Sequence, residues 1–164
     1  MKRSILAVIL LSAVTFFSCQ NISAQDNTKI LKNRKNSKTP AEWKQKLTAN
    51  QYEIMVNRGT EPSFHNAYWN NEQKGVYVSA ATGEVLFSSD DKFDSGTGWP
   101  SFVKPVDAGK IEIVQDNSFG MSRDEVIEKS TGLHLGHVFD DGPADRGGKR
   151  FCMNSGALIF VKAK

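Results

Sequence analysis

Cysteine is almost missing from this sequence: 164 residues hold two, Cys19 and Cys152. That scarcity excludes a disulfide-stapled scaffold and a four-thiolate zinc site. Long apolar runs are missing too. Ser4–Phe17 falls short of the ~20 residues that a permanent membrane-spanning helix requires. Nor does charge of one sign dominate. The formal net charge is +3, but residues 1–38 contain seven Lys/Arg and one acid, which leaves 14 basic and 17 acidic residues in 39–164. The basic character is a property of the tail, and the rest carries no basic stripe of the kind that nucleic acid requires. Repeats and low-complexity tracts are absent. What is present, 39% hydrophobic and 24% charged residues, is the composition of a globular domain.

Met1-Lys2-Arg3 followed by the apolar run reads as a secretory signal peptide within residues 1–24. Two processing routes are open. Phe16-Phe17-Ser18-Cys19 looks like a lipobox, which would lipidate Cys19 and attach the chain to a membrane. Alternatively, Ile22-Ser23-Ala24 offers a small-residue site for cleavage before Gln25. Both routes place the protein outside the cytoplasm, in the periplasm or cell envelope, where thiols tend to oxidise. Both also remove Cys19 as a free thiol, so Cys152 becomes the single sulfhydryl. Residues 25–38 are polar and basic and are expected to be a disordered linker, with one domain over 39–164.

The domain opens with Thr39-Pro40-Ala41-Glu42, a capping box with proline at the first helical position. A short helix is predicted from Ala41 to about Leu47, with Trp43 and Leu47 sharing its buried face, and another turn over Gln51–Val56. Gly59–Asn71 reads as an aromatic-rich loop. From Gly75 the pattern becomes short strands: Val76–Ser79, Glu84–Ser88, Ile111–Gln115, Met121–Ile127, Leu133–Phe139, Lys149–Met153 and Ala157–Val161. Short strands with glycine-bearing turns and little helix predict a mainly β, antiparallel domain.

Chemistry is expected at Cys152. The thiolate is the reactive form of cysteine, and the neighbouring Arg150 guanidinium favours it. Two imidazoles, His134 and His137, precede it. The loop Gly96-Thr97-Gly98-Trp99-Pro100 must present an indole, a suitable wall for a methyl- or sulfur-bearing ligand.

Together these pieces resemble the B-type methionine-R-sulfoxide reductases. The resemblance runs from about Trp43 to Val161 and is carried by Gly59-Thr60-Glu61-Pro62-Ser63-Phe64, Lys92-Phe93-Asp94-Ser95-Gly96, Gly98-Trp99-Pro100-Ser101-Phe102, Ser122-Arg123-Asp124-Glu125-Val126, His134-Leu135-Gly136-His137-Val138-Phe139 and Arg150-Phe151-Cys152-Met153-Asn154-Ser155. It implies two antiparallel sheets in a barrel-like arrangement with short peripheral N-terminal helices. The implied reaction is reduction of protein-bound methionine-R-sulfoxide by Cys152 through a sulfenic acid. His134, His137 and Asn154 would complete the catalytic set, Trp99 and Arg150 would hold substrate, and Glu61, Asp94 and Arg123 would support them.

Three departures from the family pattern matter. Ser79, Thr82, Glu128 and Thr131 stand where many members carry zinc-binding cysteines, so no metal is expected. Thr97 occupies the place of a resolving cysteine, so the reductant must be external, a thioredoxin-like protein or a small thiol. Phe151 replaces a common tyrosine. Two other readings compete: a non-catalytic envelope lipoprotein serving as an interaction module, and a metal enzyme built on His134, His137, Asp140 or Asp141 and His65.

Overall fold

Two capped helical segments lead into the domain. The computed structural model describes residues 34–164; the predicted signal peptide, Cys19 and residues 25–33 of the predicted linker lie outside the described residues. Helix α1 spans Pro40–Lys46 and α2 spans Ala49–Met55. Thr39 and Glu42 form the expected capping box, and Thr48 with Gln51 forms a second one that ends α1 and starts α2 within two residues. Trp43, Leu47, Ile54 and Met55 are buried against the core. The end of the predicted linker is not free. Arg34 Nη1 donates to Glu112 Oε2 at 2.7 Å and to the Lys129 carbonyl at 3.0 Å, and the Asn36 amide donates to the Ser130 carbonyl at 2.8 Å.

Among the described residues nine strands follow: β1 Gly75–Ser79, β2 Val85–Ser88, β3 Lys92–Phe93, β4 Ser101–Phe102, β5 Ile111–Asp116, β6 Arg123–Glu128, β7 His134–Phe139, β8 Arg150–Met153 and β9 Leu158–Lys162. They form a three-stranded sheet of order β2-β1-β9 and a six-stranded sheet of order β3-β4-β8-β7-β6-β5, antiparallel throughout. The predicted mainly β class and two-sheet arrangement hold, without closure into a barrel. The seven predicted strands are present within two residues at each end. β3 and β4 are too short, at two residues each, to leave an alternating pattern.

One hydrophobic cluster joins the elements. At its centre Phe102 stacks on Phe87 with ring centroids 4.6 Å apart and meets Tyr77 edge-on at 5.0 Å. Alternation along β8 sends Phe151 and Met153 into this cluster, so Arg150 and Cys152 emerge from the opposite face of the sheet.

Candidate active site

That outward face of the six-stranded sheet carries the predicted chemistry. Ser101 of β4 and His137 of β7 are both direct register partners of Cys152, on its two sides. Directly opposed residues point to the same face with Cβ atoms about 5 Å apart. Glu125 of β6 is in turn the partner of His137. A row Ser101, Cys152, His137, Glu125 therefore crosses four strands. Close approach of β7 and β8 depends on Gly136, since a Cβ there would lie 2.1 Å from the Cys152 carbonyl oxygen.

His134 should point away from this face. Residues three apart on a strand lie on opposite faces, yet the two imidazoles are neighbours with ring centroids 5.3 Å apart. The cause is a β-bulge. Pairing of β6 with β7 shifts between Val126 and Ile127, so Gly136 faces Val126 while His134 faces Ile127. The extra residue, Leu135, restores His134 to the side of His137.

Each imidazole has its own carboxyl partner, and sequence reading had assigned a role to neither. His134 Nδ1 lies 2.6 Å from Glu125 Oε1, both groups being almost fully enclosed, and Arg58 from the turn after α2 forms an ion pair with the other Glu125 oxygen. His137 Nε2 lies 2.9 Å from Asp116 Oδ2, which Arg123 also contacts at 2.7 Å. Arg123 reaches His137 only through Asp116, which both contact. Asp94 is exposed and accepts from the Gly96 amide at 2.9 Å, shaping its own turn without touching the histidines or Cys152.

Glu61 ties the remaining parts together. Its carboxylate accepts from the amides of Ser155 and Gly156, its backbone N–H donates to Asn154 Oδ1 at 3.2 Å, and its carbonyl accepts from the Trp99 indole at 3.0 Å. One buried residue thereby sets both the indole and the turn after Cys152. It also fixes a tautomer. Asn154 Oδ1 must face the Glu61 N–H, so its amide nitrogen is turned toward His134 Nε2 at 3.3 Å. An amide nitrogen only donates, so Nε2 accepts and the ring proton sits on Nδ1, toward Glu125. Asn154 holds His134 in place, since its amide is occupied by Glu61, His134 and the Leu135 carbonyl. The loop before Trp99 is fixed by Gly98, at φ 85°, where any Cβ would lie 2.6 Å from the Phe64 amide nitrogen.

Burial governs protonation at this site. Burial pushes the Cys152 thiol above its ordinary value; Arg150 opposes this, as do hydrogen bonds from Thr97 and Ser101, but they do not reverse it. Arg150 is already engaged by Asp141 through two bonds of 2.8 Å and lies 4.4 Å from the Phe139 ring centroid. The histidines are not poised near neutrality either. Burial pushes His137 down to about 4 despite its Asp116 bond, and burial together with the Arg58 cation holds His134 below the imidazole range. Both are neutral bases at pH 7.

The four positions that match the family's zinc cysteines also meet. Glu128 is fully buried. Its carboxyl accepts from Thr82 Oγ1, from Thr131 Oγ1 at 2.8 Å and from the Ser79 hydroxyl. Three neutral hydroxyls around one carboxyl group do not fit a tetrahedral thiolate ion site. They do cross-link the β1–β2 and β6–β7 turns. Glu128→Ala leaves buried hydroxyls unpaired and is expected to remove about 2–4 kcal/mol of stability, read as a lowered thermal midpoint. Chelator is expected to leave the midpoint of the unmutated protein unchanged. The metal-enzyme reading finds no support among the described residues. Asp141 binds Arg150, Asp140 pairs with Lys149, and exposed His65 bonds the Ser63 carbonyl at 3.0 Å, so no group of three candidate ligands converges.

Comparison with known proteins agrees with this geometry. The profile of the SelR domain matches residues 47–162. A "Peptide methionine sulfoxide reductase MsrB" from Leptospira interrogans serogroup Icterohaemorrhagiae serovar Lai (strain 56601) is 49% identical over 126 residues, which make up 77% of this chain and 95% of that protein. The match spans both sheets and every residue of the Cys152 site, and on that extent the chain belongs to the SelR domain family, that of the B-type methionine sulfoxide reductases.

Proposed function

We propose that this protein is a peptide-methionine (R)-S-oxide reductase that repairs oxidised proteins of the cell envelope, using a single cysteine and an external thiol. The observation that carries the reading is the row Ser101, Cys152, His137 on one sheet face, beside an indole fixed by Glu61. Trp99 receives the S-methyl group against its ring. Neutral His137, whose Nδ1 is left with a lone pair when Nε2 donates to Asp116, takes the Cys152 proton as the substrate binds. The thiolate attacks the sulfoxide sulfur, the His137 imidazolium returns that proton to the sulfoxide oxygen, the resulting hydroxyl passes to Cys152, and methionine leaves. Cys152 becomes a sulfenic acid. A first external thiol converts this to a mixed disulfide with release of water. A second thiol restores Cys152–SH and carries away the disulfide. A thioredoxin-like protein or a small thiol fits this requirement, because Thr97 offers no sulfur for an internal bond.

A dithiothreitol-coupled assay with the separated epimers tests the reading. Turnover of the R epimer with none of the S epimer is expected; no turnover of either would return the chain to the non-catalytic module considered above. Trp99→Ala is expected to weaken substrate binding by ~1–3 kcal/mol, seen mainly in KM. The acid limb of kcat/KM is expected near pH 4, where His137 gains its proton, and not near the ordinary imidazole value. Full activity at pH 5 is the corresponding measurement. The export signal and the lipidation of Cys19 belong to the same proposal; mass spectrometry of the mature N-terminus distinguishes a lipidated Cys19 from a free Gln25.

A further inference from the structure

The side of Cys152 away from the histidines is lined by hydroxyls. Ser101 is fully buried and is its register partner on β4. Ser101 Oγ lies 2.8 Å from Ser95 Oγ, which lies 2.8 Å from Thr97 Oγ1. The Thr97 and Ser101 hydroxyls both act to lower the Cys152 thiol against the effect of its burial. The three hydroxyls thus form a chain, Thr97, Ser95, Ser101, whose Ser101 end stands opposite Cys152 across the β4–β8 pair. We propose that this chain closes into a ring on the sulfur and is the device that ionises and aims the nucleophile, with Thr97 and Ser101 as donors to the reacting sulfur and Ser95 as the residue that positions them. The proposal rests on the reductase reading, because it concerns the same sulfur.

Counting protons shows how the ring works. With Cys152 as a thiol, four protons serve four contacts, and every group donates once and accepts once. When the sulfur's proton departs toward His137, three protons remain. Thr97 and Ser101 then both turn their hydrogens to the sulfur, and Ser95 donates to one of them while its other contact loses its hydrogen. Loss of one proton therefore places two O–H donors on the new anion, with no heavy atom moving. Ser101 has an alternative acceptor in the Trp99 carbonyl at 3.3 Å, which ties the ring to the residue bearing the indole. The other groups facing the sulfur are Arg150 on its own strand, with Asp141 behind it, and His137 on β7, with Glu125 beyond. None of them replaces two neutral donors at short range.

The rate of Cys152 alkylation by iodoacetamide as a function of pH tests this on the full-length protein without any sulfoxide. Thr97→Val and Ser101→Ala are each expected to raise the midpoint by about half to one unit, and so to slow alkylation at neutral pH about threefold to tenfold. Their kcat should fall with KM little changed. Ser95→Ala is expected to give a smaller shift of the same sign, and Thr97→Ser to restore the original profile. An unmoved midpoint in Thr97→Val overturns the proposal. That variant is the decisive one because Thr97 is only half-buried and its replacement is isosteric, whereas Ser101→Ala alters the core edge. Since the readout needs no substrate, it fails or succeeds separately from the epimer assay.

Discussion

Cys152→Ser is expected to abolish reduction of methionine-R-sulfoxide, a loss on the order of 10³-fold or more, while leaving the thermal midpoint nearly unchanged. A serine hydroxyl does not ionise at accessible pH and is a poor nucleophile toward sulfur, so the row of Ser101, His137 and Glu125 is left with nothing to activate. Structure should survive, because the side chain is half-buried and the core contacts of β8 are made by Phe151 and Met153. The measurement is dithiothreitol-coupled turnover of the R epimer beside circular dichroism of the same sample. Retained turnover in a folded variant removes the nucleophile from the account.

Glu125→Gln is expected to have the second largest effect. His134 keeps its proton on Nδ1 because a carboxyl oxygen lies 2.6 Å away and because Asn154 donates to Nε2. A glutamine can present its amide nitrogen to Nδ1, which drives the ring proton to Nε2 against the Asn154 amide. Wrong tautomers of catalytic histidines lower kcat steeply, here by an expected factor on the order of 10² or more. The variant also leaves Arg58 opposite a neutral amide, so the thermal midpoint is expected to fall. The signature that separates tautomer loss from general loosening is kcat falling while KM stays constant. A kcat unchanged within twofold would show that the His134 tautomer does not govern turnover.

Much of the fold could be read from the sequence, because its signals are local. A capping box at Thr39, alternation along Arg150-Phe151-Cys152-Met153 and glycines at turns need no tertiary context. β3 and β4 lack any such signal, and they matter because β4 delivers Ser101 to the sulfur. The spacing of His134 and His137 is misleading for a regular strand; only the bulge at Leu135 reconciles it with one site, and bulges are set by pairing. Glu125 and Asp116 escaped assignment since carboxylates on β-strands usually face water. Their role follows from register across three strands, which no sequence window contains. The direction of the Cys152 shift escaped for the same reason: Arg150 is adjacent in sequence, but burial outweighs it, and the strands on either side of Cys152, β4 and β7, are distant in sequence.

That enclosure has a bearing on how the thiol meets oxidants. Peroxide attacks the anionic form of cysteine, and the further oxidation steps beyond sulfenic acid are irreversible without specialised rescue. Because burial pushes the thiol above its ordinary value, stray oxidant meets a sluggish target. A repair catalyst with this latency spends little of its lifetime vulnerable to the damage it exists to undo.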